Sequence, residues 1–228
     1  MGTLLKQAET QSEESAGRPF RPVVTVVVSV LTVTRGELAV FLSPLPSGLW
    51  ELPRGVPRQD EALDETAQRE VTRSVGGGGY LEQLYTWGDP GADERERVLE
   101  VAYLSLAAAP RSPRVGAPGV EEPSWWPFSA LPRLAPGHGR ILEFARDQLR
   151  RRLAHTNLAW SLLPPEFSLS DLQQVYEVVQ GRSLDKRNFR KWILGNGLLE
   201  PTAHERRDGA HRPARLYRFI SRELRQWE

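Results

Sequence analysis

Residues 55–77 read Gly55-Val56-Pro57-Arg58-Gln59-Asp60-Glu61-Ala62-Leu63-Asp64-Glu65-Thr66-Ala67-Gln68-Arg69-Glu70-Val71-Thr72-Arg73-Ser74-Val75-Gly76-Gly77. From Glu61 the apolar positions Leu63, Ala67 and Val71 recur four apart with Thr66 beside them, which predicts a helix with one buried face. The glycines 76–79 must end it, because they favour the left-handed cap and have poor helix propensity. Glu70, Arg73 and Ser74, at i, i+3 and i+4, share a second face of that helix.

Outward from this helix the chain reads as sheet. Val23 to Val33 is rich in β-branched residues, Arg35-Gly36-Glu37 punctuates it, and Leu38 to Leu42 resumes the apolar run, predicting two adjacent strands. Trp50 to Gly55 predicts a short strand entering a glycine turn, with Trp50 a core anchor. Tyr80 to Trp87 and Val98 to Ala107 predict two more strands around the acidic loop Asp89 to Arg97, giving a sheet of four or five. Ala108 to Pro123, with four prolines and two glycines, predicts a surface loop. Helical spacing returns from Ile141 to His155.

The last 65 residues predict a separate unit. Ser168 and Asp171 have capping-box spacing, and Leu172, Val175, Tyr176 and Val179 mark a helical face that ends at Gly181. A second helix, from about Asp185 to Asn196, carries a core stripe of Phe189, Trp192 and Ile193 opposite Arg187, Arg190, Lys191 and Leu194. Leu198-Leu199 and Arg215 to Ile220 then predict strands around a polar hairpin. Helix, turn, helix and hairpin in this order is the winged helix-turn-helix plan. The expected class is α+β, an α/β/α sandwich with a mixed sheet followed by a winged helix. The expected divisions are a disordered tail 1–19, a first domain 20–155 and a DNA-binding domain 156–228.

Charge separates the two halves. The 228 residues carry a formal net charge of +1. From Lys186 to Arg218, however, nine Arg or Lys face three acids, a net of +6, whereas Glu61 to Glu100 has four basic and ten acidic residues, a net of −6. A basic helix followed by a basic hairpin is the electrostatic footprint of duplex DNA binding. Arg187, Asn188, Arg190 and Lys191 are the residue types that reach bases or phosphates from a major-groove helix. Arg206, Arg207, His211, Arg212 and Arg215 suit the phosphates beside a wing. With Phe189 and Trp192 assigned to the core, no aromatic platform for single-stranded RNA remains.

Several classes are excluded. No cysteine is present, which removes disulfides and thiol catalysis and fits a reducing cytoplasm. The longest apolar run, Val23 to Val33, falls well short of the ~20 residues a membrane helix needs. Four scattered histidines predict no metal cage.

The stretch 55–77 resembles the Nudix box, GX5EX7REUXEEXGU, through Gly55, Glu61, Arg69-Glu70-Val71 and Gly76. Arg73 and Ser74 replace its paired glutamates, and Gly77 its last apolar position. An intact box presents carboxylates to Mg²⁺ beside a pyrophosphate; one carboxylate, one guanidinium and one hydroxyl lack the anionic oxygen set that ion prefers. A guanidinium can still pair with an anion. The expectation is therefore a pocket of Arg54, Arg69, Glu70 and Arg73 that binds a phosphate-bearing ligand, with no catalytic residue, no metal and no required cofactor.

The whole chain after residue 20 resembles the Nudix-related transcriptional regulators, the NrtR family. The resemblance is carried by Leu81-Glu82-Gln83-Leu84-Tyr85, Leu163-Pro164-Pro165-Glu166-Phe167-Ser168-Leu169, Leu172-Gln173-Gln174-Val175-Tyr176-Glu177, Leu184-Asp185-Lys186-Arg187-Asn188-Phe189-Arg190 and Arg212-Pro213-Ala214-Arg215-Leu216-Tyr217-Arg218-Phe219. It implies a homodimer formed through the Nudix-like domain, a palindromic double-stranded operator, and ADP-ribose or a related nucleotide as effector. It also implies repression of genes of NAD metabolism, with sugar catabolism the alternative regulon. The recognition helix would carry Lys186, Arg187, Asn188, Arg190 and Lys191, and the wing Arg212 and Arg215. Two departures from the family pattern are that Gly137-His138 stands where many relatives have Asp-His and that Arg54 replaces a glycine of the usual Pro-Gly-Gly turn. The alternative reading is an active ADP-ribose pyrophosphatase with an accessory C-terminal domain.

Overall fold

The computed structural model describes residues 21–88, 97–110, 112–207 and 213–226. The tail 1–19, most of the acidic loop and the wing tip with His211 and Arg212 lie outside the described residues.

β1 (Val23–Thr34) and β2 (Glu37–Pro44) form an antiparallel hairpin. The short strands β3 (Trp50–Glu51) and β4 (Arg54–Gly55) follow, pairing with β2 and β1 respectively. After helix α1 (Leu63–Val75) come β5 (Tyr80–Trp87) and β6 (Val98–Leu106), antiparallel to each other. β6 lies parallel to β1, so the sheet is mixed. A further strand, β7 (Ser124–Pro127), pairs with β2 and brings the sheet to seven strands, where four or five were expected.

The uninterrupted apolar run of β1 is explained by burial on both faces. Val26, Val28 and Val30 pack with Ala67 and Val71 of α1. Val27 and Leu31 pack on the other face in one cluster with Ile141, Leu142 and Ala145 of helix α2 (His138–His155). Helices on opposite faces make the expected sandwich. Glu65 accepts from the Ala62 N–H at the start of α1, and Gly76 closes its end at φ 81°.

A 3₁₀ turn, Leu158–Leu162, leads into the second unit. There β8 (Phe167–Ser168), α3 (Leu169–Gln180), α4 (Lys186–Gly195), β9 (Leu199–Arg206) and β10 (Ala214–Phe219) form a winged helix, its three-stranded sheet ordered β8, β10, β9. β9 extends well beyond Leu198-Leu199, because residues 200–206 pair along β10 despite their polarity. Leu149 and Leu153 of α2 share one buried cluster with Val175 and Val179 of α3, so the core is continuous between the units. Among the described residues no helix is long and apolar enough to cross a membrane.

Candidate functional site

The pairing of β4 with β1 places Gly55 against the side chain of Glu70. A Cβ at Gly55 would lie 2.4 Å from Glu70 Oε1, so space selects glycine here. Glu70 is 2% exposed and accepts hydrogen bonds from Arg69 and from Arg73 Nε, the latter at 2.9 Å. Arg69 also donates to both oxygens of Glu61, at 2.7 and 2.9 Å, and to the Val56 carbonyl at 3.2 Å. The Arg69 hydrogen bond, opposed by burial, holds the Glu61 carboxyl down at about 2. Two carboxylates and two guanidiniums thus form one network.

The structure brings Arg69, Glu70 and Arg73 together as expected, yet they satisfy one another. The donor set does not fit Mg²⁺. Glu70 is held by two cations, and Ser74 lines a separate cavity of about 500 Å³ with Trp125 and Trp160. Among the described residues no group of three or more His, Asp or Glu side chains could hold a metal ion.

Arg54 is differently placed. Its guanidinium is about half exposed, with a long 3.9 Å contact to Glu51 as its ion pair. Beside it is His138, whose charge-sensitive position next to Arg54 was not among the expected site residues. The Leu52 N–H donates to His138 Nδ1 at 2.9 Å, so the neutral ring carries its hydrogen on Nε2. Burial, helped by the Arg54 charge, pulls this histidine down to about 4. A histidine entering the first turn of an amphipathic helix, opposite a Trp-Glu-Leu-Pro turn, was the signal available.

The second constellation lies on the winged helix. Ser168 Oγ accepts from the Asp171 N–H at 3.2 Å, and Asp171 accepts from the Ser168 N–H at 2.8 Å, completing the capping box at α3. Arg206 donates to both Asp171 oxygens, at 2.9 and 3.0 Å. Burial raises the Asp171 carboxyl, but Arg206 and Ser168 together overcome this and hold it below its ordinary value. Arg206 therefore braces the wing strand against α3. The turn before α4 is fixed by Glu177, which accepts from the Leu184 N–H at 2.8 Å and from Gln173 at 2.9 Å. Asp185 caps α4 by accepting from the Asn188 N–H at 2.8 Å.

On α4, Phe189 and Ile193 are buried, whereas Lys186, Arg187, Asn188, Arg190 and Lys191 are exposed. Trp192 is corrected: it is 37% exposed at the margin of the core, edge-on to Tyr176. Between α4 and the wing runs a groove of about 850 Å³ lined by Lys186, Arg190 and Arg215, with Glu205 its acidic member. Elsewhere in the wing region the His204 ring nitrogen Nδ1 lies 2.8 Å from a Glu166 carboxylate oxygen, and Arg218 pairs with Glu200 at 2.5 Å. His211 and Arg212 lie outside the described residues.

Fold and site define a class: a Nudix domain with a degenerate box, followed by a winged helix with a basic recognition-helix face. Residues 22–145 match the NUDIX domain family, and residues 159–219 match the NrtR DNA-binding winged helix domain. Over 207 residues the chain is 31% identical to the ADPR responsive transcriptional repressor NtrR of Acinetobacter baylyi, covering 87% of this chain and 82% of that relative. The crystal structure of Shewanella oneidensis NrtR complexed with a 27mer DNA has a TM-score of 0.73 and 28% identity, covering 86% of this chain and 93% of that one. A second crystal structure of Shewanella oneidensis NrtR has a TM-score of 0.71 and 30% identity, covering 86% and 94%. The chain belongs to the NrtR family of Nudix-related transcriptional regulators.

Proposed function

We propose that this protein is a DNA-binding transcriptional repressor that senses ADP-ribose or a related nucleotide through a Nudix domain that does not efficiently hydrolyse it. The observation that carries this reading is α4: five exposed basic or amide side chains and no carboxylate along the helix, beside a wing that presents Arg215. The Acinetobacter relative's ADPR response and the Shewanella relative's DNA complex support the two halves. The operator is a palindrome read by a homodimer, and the regulated genes belong to NAD metabolism.

The Glu70 network argues against the pyrophosphatase alternative, because its buried carboxylate is committed to Arg69 and Arg73. The test is fluorescence anisotropy on DNA fragments from the chain's own genomic neighbourhood, with ADP-ribose titrated into the complex. The expected result is salt-sensitive binding to one palindromic fragment, release on adding ADP-ribose, and recovery of intact nucleotide afterwards. Failure to bind any fragment, or Mg²⁺-dependent turnover near ~1 s⁻¹, overturns the reading.

A further inference from the structure

The end of the sheet away from β4 carries a cavity that the proposed function does not use. Ala107 marks this end, its N–H bonding the Leu31 carbonyl at 3.1 Å, four residues along β1 from Val27, the partner of Arg54. That separation is about 13 Å at the usual ~3.3 Å per residue. The cavity, of about 500 Å³, is walled on the Nudix side by Phe41, Val75, Ala107 and Trp125, and on the other by Trp160, Leu163 and Arg222. A second cavity, of about 420 Å³, lies beyond it among Pro164, Phe219 and Ile220. Trp160, Pro165 and Arg222 wall both, and so form the partition between them.

The walls are held in place by packing. Trp125 is 4% exposed and edge-on to Phe41, with ring centroids 5.4 Å apart. Trp160 belongs to the 3₁₀ turn, and a Cβ at Gly79 would lie 3.2 Å from its Cζ3, so a glycine lets the turn come close to the sheet. Asn157, 1% exposed, fixes the backbone on both sides of Arg222: its Nδ2 donates to the Ser221 carbonyl at 3.3 Å and to the Glu223 carbonyl at 2.9 Å. The Arg222 guanidinium makes no hydrogen bond or ion pair among the described residues. The Trp160 Nε1–H is buried and also has no partner. A buried donor left unpaired is costly, and the partition sets this one in the same wall as an unpaired cation.

We propose that this cavity binds a small aromatic carboxylate, with its ring against Trp125 and Phe41 and its carboxylate at the partition, on Arg222 and the Trp160 Nε1–H. The volume is that of a small-molecule site. Among the described lining residues Arg222 is the one cation and no acid opposes it. A single guanidinium matches a single carboxylate. A phosphate would bring more charge to a cavity that also borders the C-terminal end of α1, where the helix dipole disfavours anions. The site lies apart from the Nudix box and does not depend on nucleotide sensing.

Calorimetry on the full chain with 2-naphthoate, 2-naphthamide and cyclohexanecarboxylate tests it. The parent is expected to bind 2-naphthoate roughly tenfold or more tightly than either the neutral amide or the non-aromatic acid. Arg222→Gln should bind the acid no better than the amide; because Arg222 is exposed, this variant should melt like the parent. Trp160→Phe keeps a ring but removes the unpaired donor, and should lose about fivefold in 2-naphthoate affinity. Saturating ADP-ribose should leave 2-naphthoate bound. The site is overturned if the parent binds acid and amide equally or binds neither, if Arg222→Gln keeps the preference, or if ADP-ribose displaces 2-naphthoate, which would place the acid in the nucleotide pocket. Unchanged 2-naphthoate affinity in Trp160→Phe overturns the part given to the indole.

Discussion

At Gly55 there is no room for a methyl group, because Glu70 Oε1 would lie 2.4 Å from it and two arginines hold that carboxylate in place. Gly55→Ala is expected to lower stability by ~1–3 kcal/mol, the usual cost of overpacking. Urea unfolding of Gly55→Ala, Glu70→Ala and the double variant should show a coupling of ~0.5–3 kcal/mol, since the second change removes the obstacle to the first. Strict additivity would mean that the two residues do not press on each other. His138 gives a pH signature. Its proton affinity falls from an ordinary 6.5 to about 4 on folding, so the unfolded chain binds the proton more tightly. Stability from this group is complete above about pH 6.5 and is lost as the pH falls towards 4, by about 3 kcal/mol in total. The difference in stability between parent and His138→Asn, followed by urea unfolding from pH 7 to pH 4, should shrink over that window; a difference independent of pH would show that the ring is not buried neutral.

Among the elements, the helices were the most legible in the sequence. Leu63, Ala67 and Val71 marked the buried face of α1, Ser168 and Asp171 its counterpart's start at α3, and Gly76 and Gly181 the two ends. β7 was not legible, because Ser124–Pro127 is four residues long, ends in proline and follows a proline-rich loop; its strand character comes from pairing with β2. Spacing found Glu61, Arg69 and Glu70, but not their mutual neutralisation, which depends on how the loop 56–60 folds back. The wing charges likewise needed coordinates, since the partners of Arg206 and Arg218 lie 35 and 18 residues away. This separates the arginines into two kinds with different expected behaviour. Arg187→Ala or Arg190→Ala should cost ~1–3 kcal/mol of specific affinity and relax the choice of base at one position, whereas Arg215→Ala should weaken all sequences and reduce the salt slope by ~1. Arg206→Ala should instead lower the melting temperature and leave the salt slope intact, because its guanidinium answers Asp171. A reduced slope on removing Arg206 would return it to the DNA-contacting set.

For the molecule as a whole, the question is how occupancy of the Nudix domain reaches α4. α2 is the physical connection. Its first turn covers the sheet end around His138, its middle packs in the sheet's core cluster through Ile141 and Ala145, and its last turns share that cluster with α3. Two hydrogen bonds lock α2 to α3: Arg150 Nε donates to the Val179 carbonyl and Gln180 Nε2 donates to the Arg150 carbonyl, both at 3.0 Å. Arg152 of α2 is ion-paired with Glu82 of β5, tying the same helix to the strand that carries Trp87. In a homodimer on a palindrome, the distance between the two recognition helices must match one or more DNA turns, so a small rotation of α2 in each subunit suffices to spoil the match. A nucleotide can act only through its different affinity for the DNA-bound and free arrangements. A coupling of ~1–3 kcal/mol would change operator affinity about 5–150-fold, and the operator must weaken nucleotide binding by the same factor. Gln180 is the last residue of α3 and belongs to neither the Nudix domain nor α4. Gln180→Ala is expected to leave both individual affinities within about twofold while shrinking the reciprocal factor, because α3 would no longer follow α2 rigidly. Anisotropy for DNA with and without saturating ADP-ribose, and calorimetry for ADP-ribose with and without operator, measure the two sides of the cycle. An undiminished factor in Gln180→Ala would show that the signal passes by another route, leaving α2 as a support between two independently responding domains.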